Sequence, residues 1–273
     1  MGTGLREVRN RGDPNDDSNA MTVSRSAWLR HRRCCDVLSP AAAWRKSTAR
    51  KSPWYYGEVV IRRPLQRLVG RIVADHWETW QFASAITRDT ERGRKFARFG
   101  EGALIAFPWV TVYNERYIEI GDSTMIGPYC ALSAGMMPGQ ECVTTPVVRI
   151  GDRCLIGRGS GIVGHFAVDI GNDVWTGHHV YITDQNHGYE DVTQPISRQT
   201  QPERPVRIGD GSWLGTGTVV LPGASIGRNV AVGANSVVTG ELPDYSVAVG
   251  APARVIKRYS ATSGWVPADE FRG

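Results

Sequence analysis

From residue 120 the sequence keeps a period of six. Its markers are Ile120, Ile126 and Leu132, then Ile150, Ile156 and Ile162, then Ile170, Thr176 and Ile182. After a gap come Ile208, Leu214, Val220, Ile226, Val232 and Val238. A six-residue period held from residue 120 to residue 238 matches neither the 3.6 spacing of a helix nor the alternation of an ordinary strand. Gly occupies the second place at 121, 127, 151, 157, 171, 177, 209, 215, 227 and 233, and is absent at 133, 163, 183, 221 and 239. Each absence falls in the third hexad of its group, so the chain counts to eighteen as well as to six. Three six-residue sides make one triangular coil. The fifth place is mostly small (Thr124, Cys130, Cys154, Ser160, Ser212, Thr218, Ala224, Ser236), as the inside of a narrow prism requires. Gly in second place reads as relief for a corner conformation that a Cβ would oppose. Coils pair with their neighbours at about 4.8 Å, and stacking builds a core that one coil could not. The expected fold is therefore mainly β, a parallel β-helix of hexapeptide repeats over 99–258, with a degenerate first coil at 99–119.

Three insertions break the count, at 138–149, 168–169 and 188–207, and all follow the third hexad of a coil. They leave the prism along one vertical edge, where two long loops can wall a cleft, and loops on a rigid scaffold are where function concentrates. His187 stands at the lip of that edge, at the start of the longest insertion. Asn186 beside it falls in the inward small column, where an amide is unexpected. His165 stacks over Gln185 once the two-residue insertion is counted. Asp184, Glu190 or Asp191 could orient His187, and spacing does not choose between them.

The rest of the chain is less regular. Residues 1–100 hold 20 Lys and Arg against 10 Asp and Glu, whereas 101–273 hold 12 against 17. Residues 1–60 read as a basic, partly disordered leader. Segment 61–98 reads as helical: Pro64 suits a first helical turn, and Leu65, Leu68, Val69, Ile72, Val73, Trp77 and Trp80 recur at helical spacing over 64–86. A second short helix, capped by Thr87 or Thr90, is expected before Gly100. The long helix should cover the core or a subunit contact, with weak contact to a membrane surface as the other use. Residues 259–273 read as a tail. Basic residues without a nucleic-acid motif argue against DNA or RNA as partner. With five Cys, no apolar span and no secretory leader, a reducing, cytoplasmic setting is the expectation.

The hexad array, Asn186-His187 with its following loop, the run Gly209-Asp210-Gly211-Ser212-Trp213-Leu214-Gly215, and the run Val249-Gly250-Ala251-Pro252-Ala253-Arg254-Val255-Ile256-Lys257 resemble the hexapeptide-repeat acyltransferases. The similarity is to the maltose and galactoside O-acetyltransferase branch and to bacterial polysaccharide-modifying relatives, over about residues 100–258. The resemblance implies a left-handed coil, a homotrimer with active sites between adjacent subunits, acetyl-CoA or another acyl-CoA as donor, and a saccharide acceptor. It places the catalytic base on His187, an aromatic beside the cofactor on Trp213, and the pantetheine slot on Thr216, Ala234 and Thr239. It places a phosphate contact on Arg254. A Lys usual in the family is Gly240 here, and Lys257 or Arg258 is a candidate to replace it.

The chemistry fits that implication. Acyl transfer to a hydroxyl needs a base near neutral pKa, which imidazole supplies, and the thioester is already activated. Asn186, Asp184 and His165 complete the candidate catalytic group. Cys130 and Cys154 lie in the inward column as small hydrophobes rather than nucleophiles. No metal is expected. Two other readings stand beside this one. A metalloenzyme like the γ-type carbonic anhydrases would draw on His165, His178, His179 and His187, and a non-catalytic β-helical scaffold would need none of them.

Overall fold

The computed structural model describes residues 63–271. The basic leader at 1–60 lies outside the described residues. The chain forms a left-handed parallel β-helix. Its three faces are sheets of seven, ten and six strands. Face one carries strands such as Ile118–Ile120, Val148–Ile150, Val168–Ile170 and Val206–Ile208. Face two carries Met125–Ile126, Leu155–Ile156, Trp175–Thr176, Trp213–Leu214 and Ala231–Val232. Face three carries Ala131–Ala134, Gly161–Gly164, Tyr181–Thr183, Val219–Val220 and Val237–Val238. Residue pairs such as Ile162 with Ile182 and Val220 with Val238 keep the same place of the hexad in register from coil to coil.

All the first-place residues from Ile120 to Val238 are buried, Thr176 included. So are the small fifth-place residues. Fully burying one such aliphatic side chain contributes about 1.5–3 kcal/mol, and the stack repeats the gain in every coil. The polar members of the inner column tie coils together. Thr124 Oγ1 donates to Gly151 O at 2.7 Å and accepts from Cys154 N at 3.0 Å. Ser212 Oγ does the same between Gly227 O (2.8 Å) and Val230 N (3.1 Å).

The second-place glycines serve a different end from the one the sequence suggested. None of them has positive φ. The left-handed residues are in fourth place: Ser123, Tyr129, Arg153, Asp173, His179, Asn229 and Asn235, with Gly159, Gly211, Gly217 and Gly223. In second place the constraint is the coil below. A Cβ on Gly157 would lie 2.1 Å from Gly177 O, and one on Gly171 would lie 2.2 Å from Asp210 Oδ1.

A degenerate first coil is present, with strands Arg98–Phe99, Leu104–Ile105 and Thr111–Tyr113. The second short helix is not. Residues 86–99 instead form the strand Ile86–Thr87, antiparallel to Leu104–Ile105, and a single 3-10 turn Gly93–Lys95. Thr90 Oγ1 accepts from Gly93 N at 3.0 Å, but Arg92 and not Thr90 holds the N-cap position of this turn, and the chain folds back too tightly for a longer helix. The long helix spans Arg63–Ala83. It does not cover the core: its apolar residues, Leu68, Ile72 and Trp80 among them, are exposed. The parallel coils end at Val249, and residues 254–267 form an antiparallel hairpin, Arg254–Ser260 with Gly264–Pro267, that extends face two.

Candidate active site

The three insertions leave the prism together, on the edge between faces three and one. The extra pair in the third coil lies between Gly164 and Val168, because Val168 and Asp169 themselves pair with Val148 and Arg149. The chain leaves the prism at Asp184. Asn186 is therefore exposed and not in the inward column. Its Oδ1 accepts the His187 backbone N–H at 3.0 Å.

Asp184 is completely buried. Its Oδ1 accepts from His165 N at 2.8 Å, and its Oδ2 accepts from Phe166 N at 2.8 Å and Ala167 N at 2.6 Å. A carboxylate that takes three N–H donors is fully engaged and is held by charge-assisted bonds. Asp184 thus fixes the short bulge that carries His165 and does not touch His187. Its own carbonyl accepts from Arg204 N at 2.8 Å, which closes the base of the long loop. The loop above that base is a two-stranded strap, with Gln185 bridged to Glu203, Asn186 N to Pro202 O, and Gly188 N to Thr200 O.

His187 is exposed at the front of this strap. Its partner is Gln201, whose side-chain amide lies 3.3 Å from Nδ1. Gln201 is bonded in turn to the Gln185 amide. In this orientation Gln201 Nε2 donates to Nδ1 while Gln201 Oε1 accepts from Gln185; only with both amides turned over does Gln201 present its oxygen to an Nδ1–H and leave the Nε2 lone pair of His187 free to accept a proton. None of the three nearby carboxylates does this work. Glu190 accepts from Tyr189 N, and Asp191 is committed to Thr193 and Gln194. Gln201 sits in a loop without periodicity, and no pattern marks it in the sequence.

His165 is half-buried one coil above. Burial holds its imidazole below the usual histidine range, while the Asp184 and Glu203 carboxylates push the other way. Thr144 of the upper loop bonds to Phe166 O, so both long loops flank this histidine. His178 and His179 lie on the turn between faces two and three, on another edge from His187. Among the described residues no three His, Cys, Asp or Glu side chains are placed to share a metal ion. Burial raises the Cys130 and Cys154 thiols above their ordinary values.

The remaining candidates divide between two edges. Trp213 projects from face two, half-exposed, with Trp175 in register one coil above. Thr216 and Ala234 are exposed on the turn between faces two and three, one coil apart, and Arg254 and Lys257 are exposed on the hairpin that extends face two. Thr239 is exposed at the other side of face three, on the same edge as His187. Space beside Gly240 is open, with no atom within 4 Å of a built Cβ. One protomer therefore does not bring Trp213, Thr216, Ala234 and Arg254 onto the edge that carries His187.

The repeats match two family models, a bacterial transferase hexapeptide of six repeats over residues 205–240 and the hexapeptide repeat of succinyl-transferase over 147–183. Over these two stretches the chain carries the hexapeptide repeats that the transferase models describe. A probable acetyltransferase of Mycobacterium tuberculosis is 34% identical over 184 residues, which is 67% of this chain and 56% of that protein. A putative lipopolysaccharide biosynthesis O-acetyl transferase of Escherichia coli is 43% identical over 101 residues, 34% of this chain and 52% of that one. A galactoside O-acetyltransferase of Lactococcus lactis is 36% identical over 107 residues, 37% and 51% respectively. The chain thus spans little more than half the length of these relatives. Among solved structures, an N-acyltransferase of Bacillus cereus in complex with dTDP and 3-hydroxybutyryl-CoA shares the fold, with a TM-score of 0.55 and 22% identity over 66% of this chain and 92% of that one.

Proposed function

We propose that the protein is a CoA-dependent O-acyltransferase that moves an acetyl group from acetyl-CoA to a hydroxyl of a saccharide or polysaccharide acceptor. The observation that carries the reading is His187, exposed on a strap at the rim of the prism with Gln201 against its Nδ1. The names of the acetyltransferase relatives support the class of reaction. In this reading Nε2 of His187 takes the proton of the acceptor hydroxyl as its oxygen attacks the thioester carbonyl. The proton then passes to the departing CoA sulfur, and the free thiol leaves. Backbone N–H groups would hold the oxyanion in between.

Trp213, Thr216, Ala234 and Arg254 would hold the donor. Their placement away from His187 in one chain supports a homotrimer whose sites lie between adjacent subunits, one supplying the base and the next the donor face. The test is release of free thiol from acetyl-CoA across a panel of mono- and polysaccharides. His187→Ala should reduce the acceptor-dependent rate at least about a hundredfold, with circular dichroism and oligomeric mass unchanged. A variant that keeps its rate would overturn the assignment of the base.

A further inference from the structure

The helix Arg63–Ala83 projects from the prism with its apolar stripe uncovered. Leu65, Leu68, Val69, Ile72, Val73, Trp77 and Trp80 recur at three- and four-residue intervals on one side, and all are exposed. Its one aromatic contact with the body is Trp77 to Phe107, with ring centroids 6.4 Å apart. Arg67 and Arg71 lie one turn apart on the opposite side, and the acidic residues Asp75 and Glu78 come only in the half nearer the body. Residues 22–63, which lead into the helix, contain ten Lys and Arg against two Asp and Glu.

An apolar stripe with Leu and Trp, an Arg-bearing polar face and a strongly basic lead-in is the pattern of a helix that lies in a membrane interface. Among the described residues no helix is long and apolar enough to cross a membrane, so the geometry is that of lying on the surface. We infer that this helix docks the protein on an anionic lipid surface. The stripe enters the headgroup boundary, and the arginines of the helix face the negative headgroups. The catalytic reading plays no part in this inference, which concerns a separate element at the N-terminal end of the prism.

The full chain is mixed with sedimentable vesicles of phosphatidylcholine alone, or of phosphatidylcholine with phosphatidylglycerol. It should pellet with the anionic vesicles and not with the neutral ones, and lose that binding as salt shortens the screening length. Ile72→Glu with Trp80→Glu should abolish pelleting while leaving oligomeric mass by sedimentation velocity unchanged. Arg67→Glu with Arg71→Glu should weaken it by at least about fivefold per charge removed. Both pairs change exposed positions, and circular dichroism checks that the fold persists. Absence of binding to anionic vesicles overturns the inference. So does a change of oligomeric mass in the Ile72/Trp80 variant, which would give the stripe to a second copy of the chain.

Discussion

At the scale of single residues, the surprise is Asp184. Its nearness to His187 in sequence suggests a carboxylate that orients the base. The fold turns it the other way, into a pocket with no water exposure and three backbone donors from residues 165–167. Sequence spacing could not show this, because which side chain remains inside depends on where the chain departs from the prism. That departure comes at Asp184, two residues before Asn186. Asp184→Asn keeps the shape but loses the charge and turns an N–H toward a donor. It should lower unfolding free energy by about 3 kcal/mol, read as a fall in urea midpoint with the slope unchanged. A midpoint like that of the native chain would show that the three bonds are replaceable. The orienting group for His187 is neutral, and the test follows from that. Gln201→Leu should reduce turnover about tenfold, the scale of one lost hydrogen bond, and leave the apparent affinity for acetyl-CoA where it was. A rise in the donor KM instead would place Gln201 in donor binding.

At the scale of the element, the hexad was legible because burial imposes it. First-place residues are apolar except Thr176, fifth-place residues are mostly small, and both columns stand out in the sequence on either side of the insertions. The degenerate first coil was visible for the same reason. Two things were hidden. The left-handed corner in fourth place accepts Ser123, Tyr129, Arg153, Asp173, His179 and Asn229 as well as glycine, so no residue type marks it. The need for glycine in second place arises from contact between coils some eighteen residues or more apart, which a local reading assigns to the local backbone. Gly157→Ala separates the two explanations. Its φ is not left-handed, yet the added Cβ would sit 2.1 Å from Gly177 O, a backbone atom fixed by the next coil. Forcing the coils apart should cost on the order of 1–3 kcal/mol, seen as a lowered melting temperature. Gly240→Ala, with open space around it, should melt with the native protein. Equal melting of both variants would show that contact between coils does not require glycine in second place. The projecting helix was legible in its period, but not in its lack of cover, since an amphipathic stripe records only that something apolar is met.

At the scale of the whole molecule, the prism sorts the proposed machinery onto different edges. His187 rides the strap between faces three and one, whereas Trp213, Thr216, Ala234 and Arg254 lie on face two and its turn into face three. A rigid stack of coils has no hinge that could bring these edges together, because each coil is bonded to the next through all three faces. If the sites form between copies, each must take its base from one chain and its donor contacts from another. Two variants that are inactive alone should then repair each other. His187→Ala lacks the base but keeps the donor face. Ala234→Trp keeps the base but fills the slot beside Thr216 with an indole. Co-expressed at equal levels and assembled at random, the two chains should recover about a quarter of the sites in working form, since each site needs a particular variant in each of two positions. The mixed preparation should therefore show roughly a quarter of native turnover, and dilution to separated subunits should abolish it. Mixtures no more active than the parent variants would mean that each chain builds its own site, and the donor would then have to be held by residues on the strap edge, with Thr239 and the open space at Gly240 the places to look.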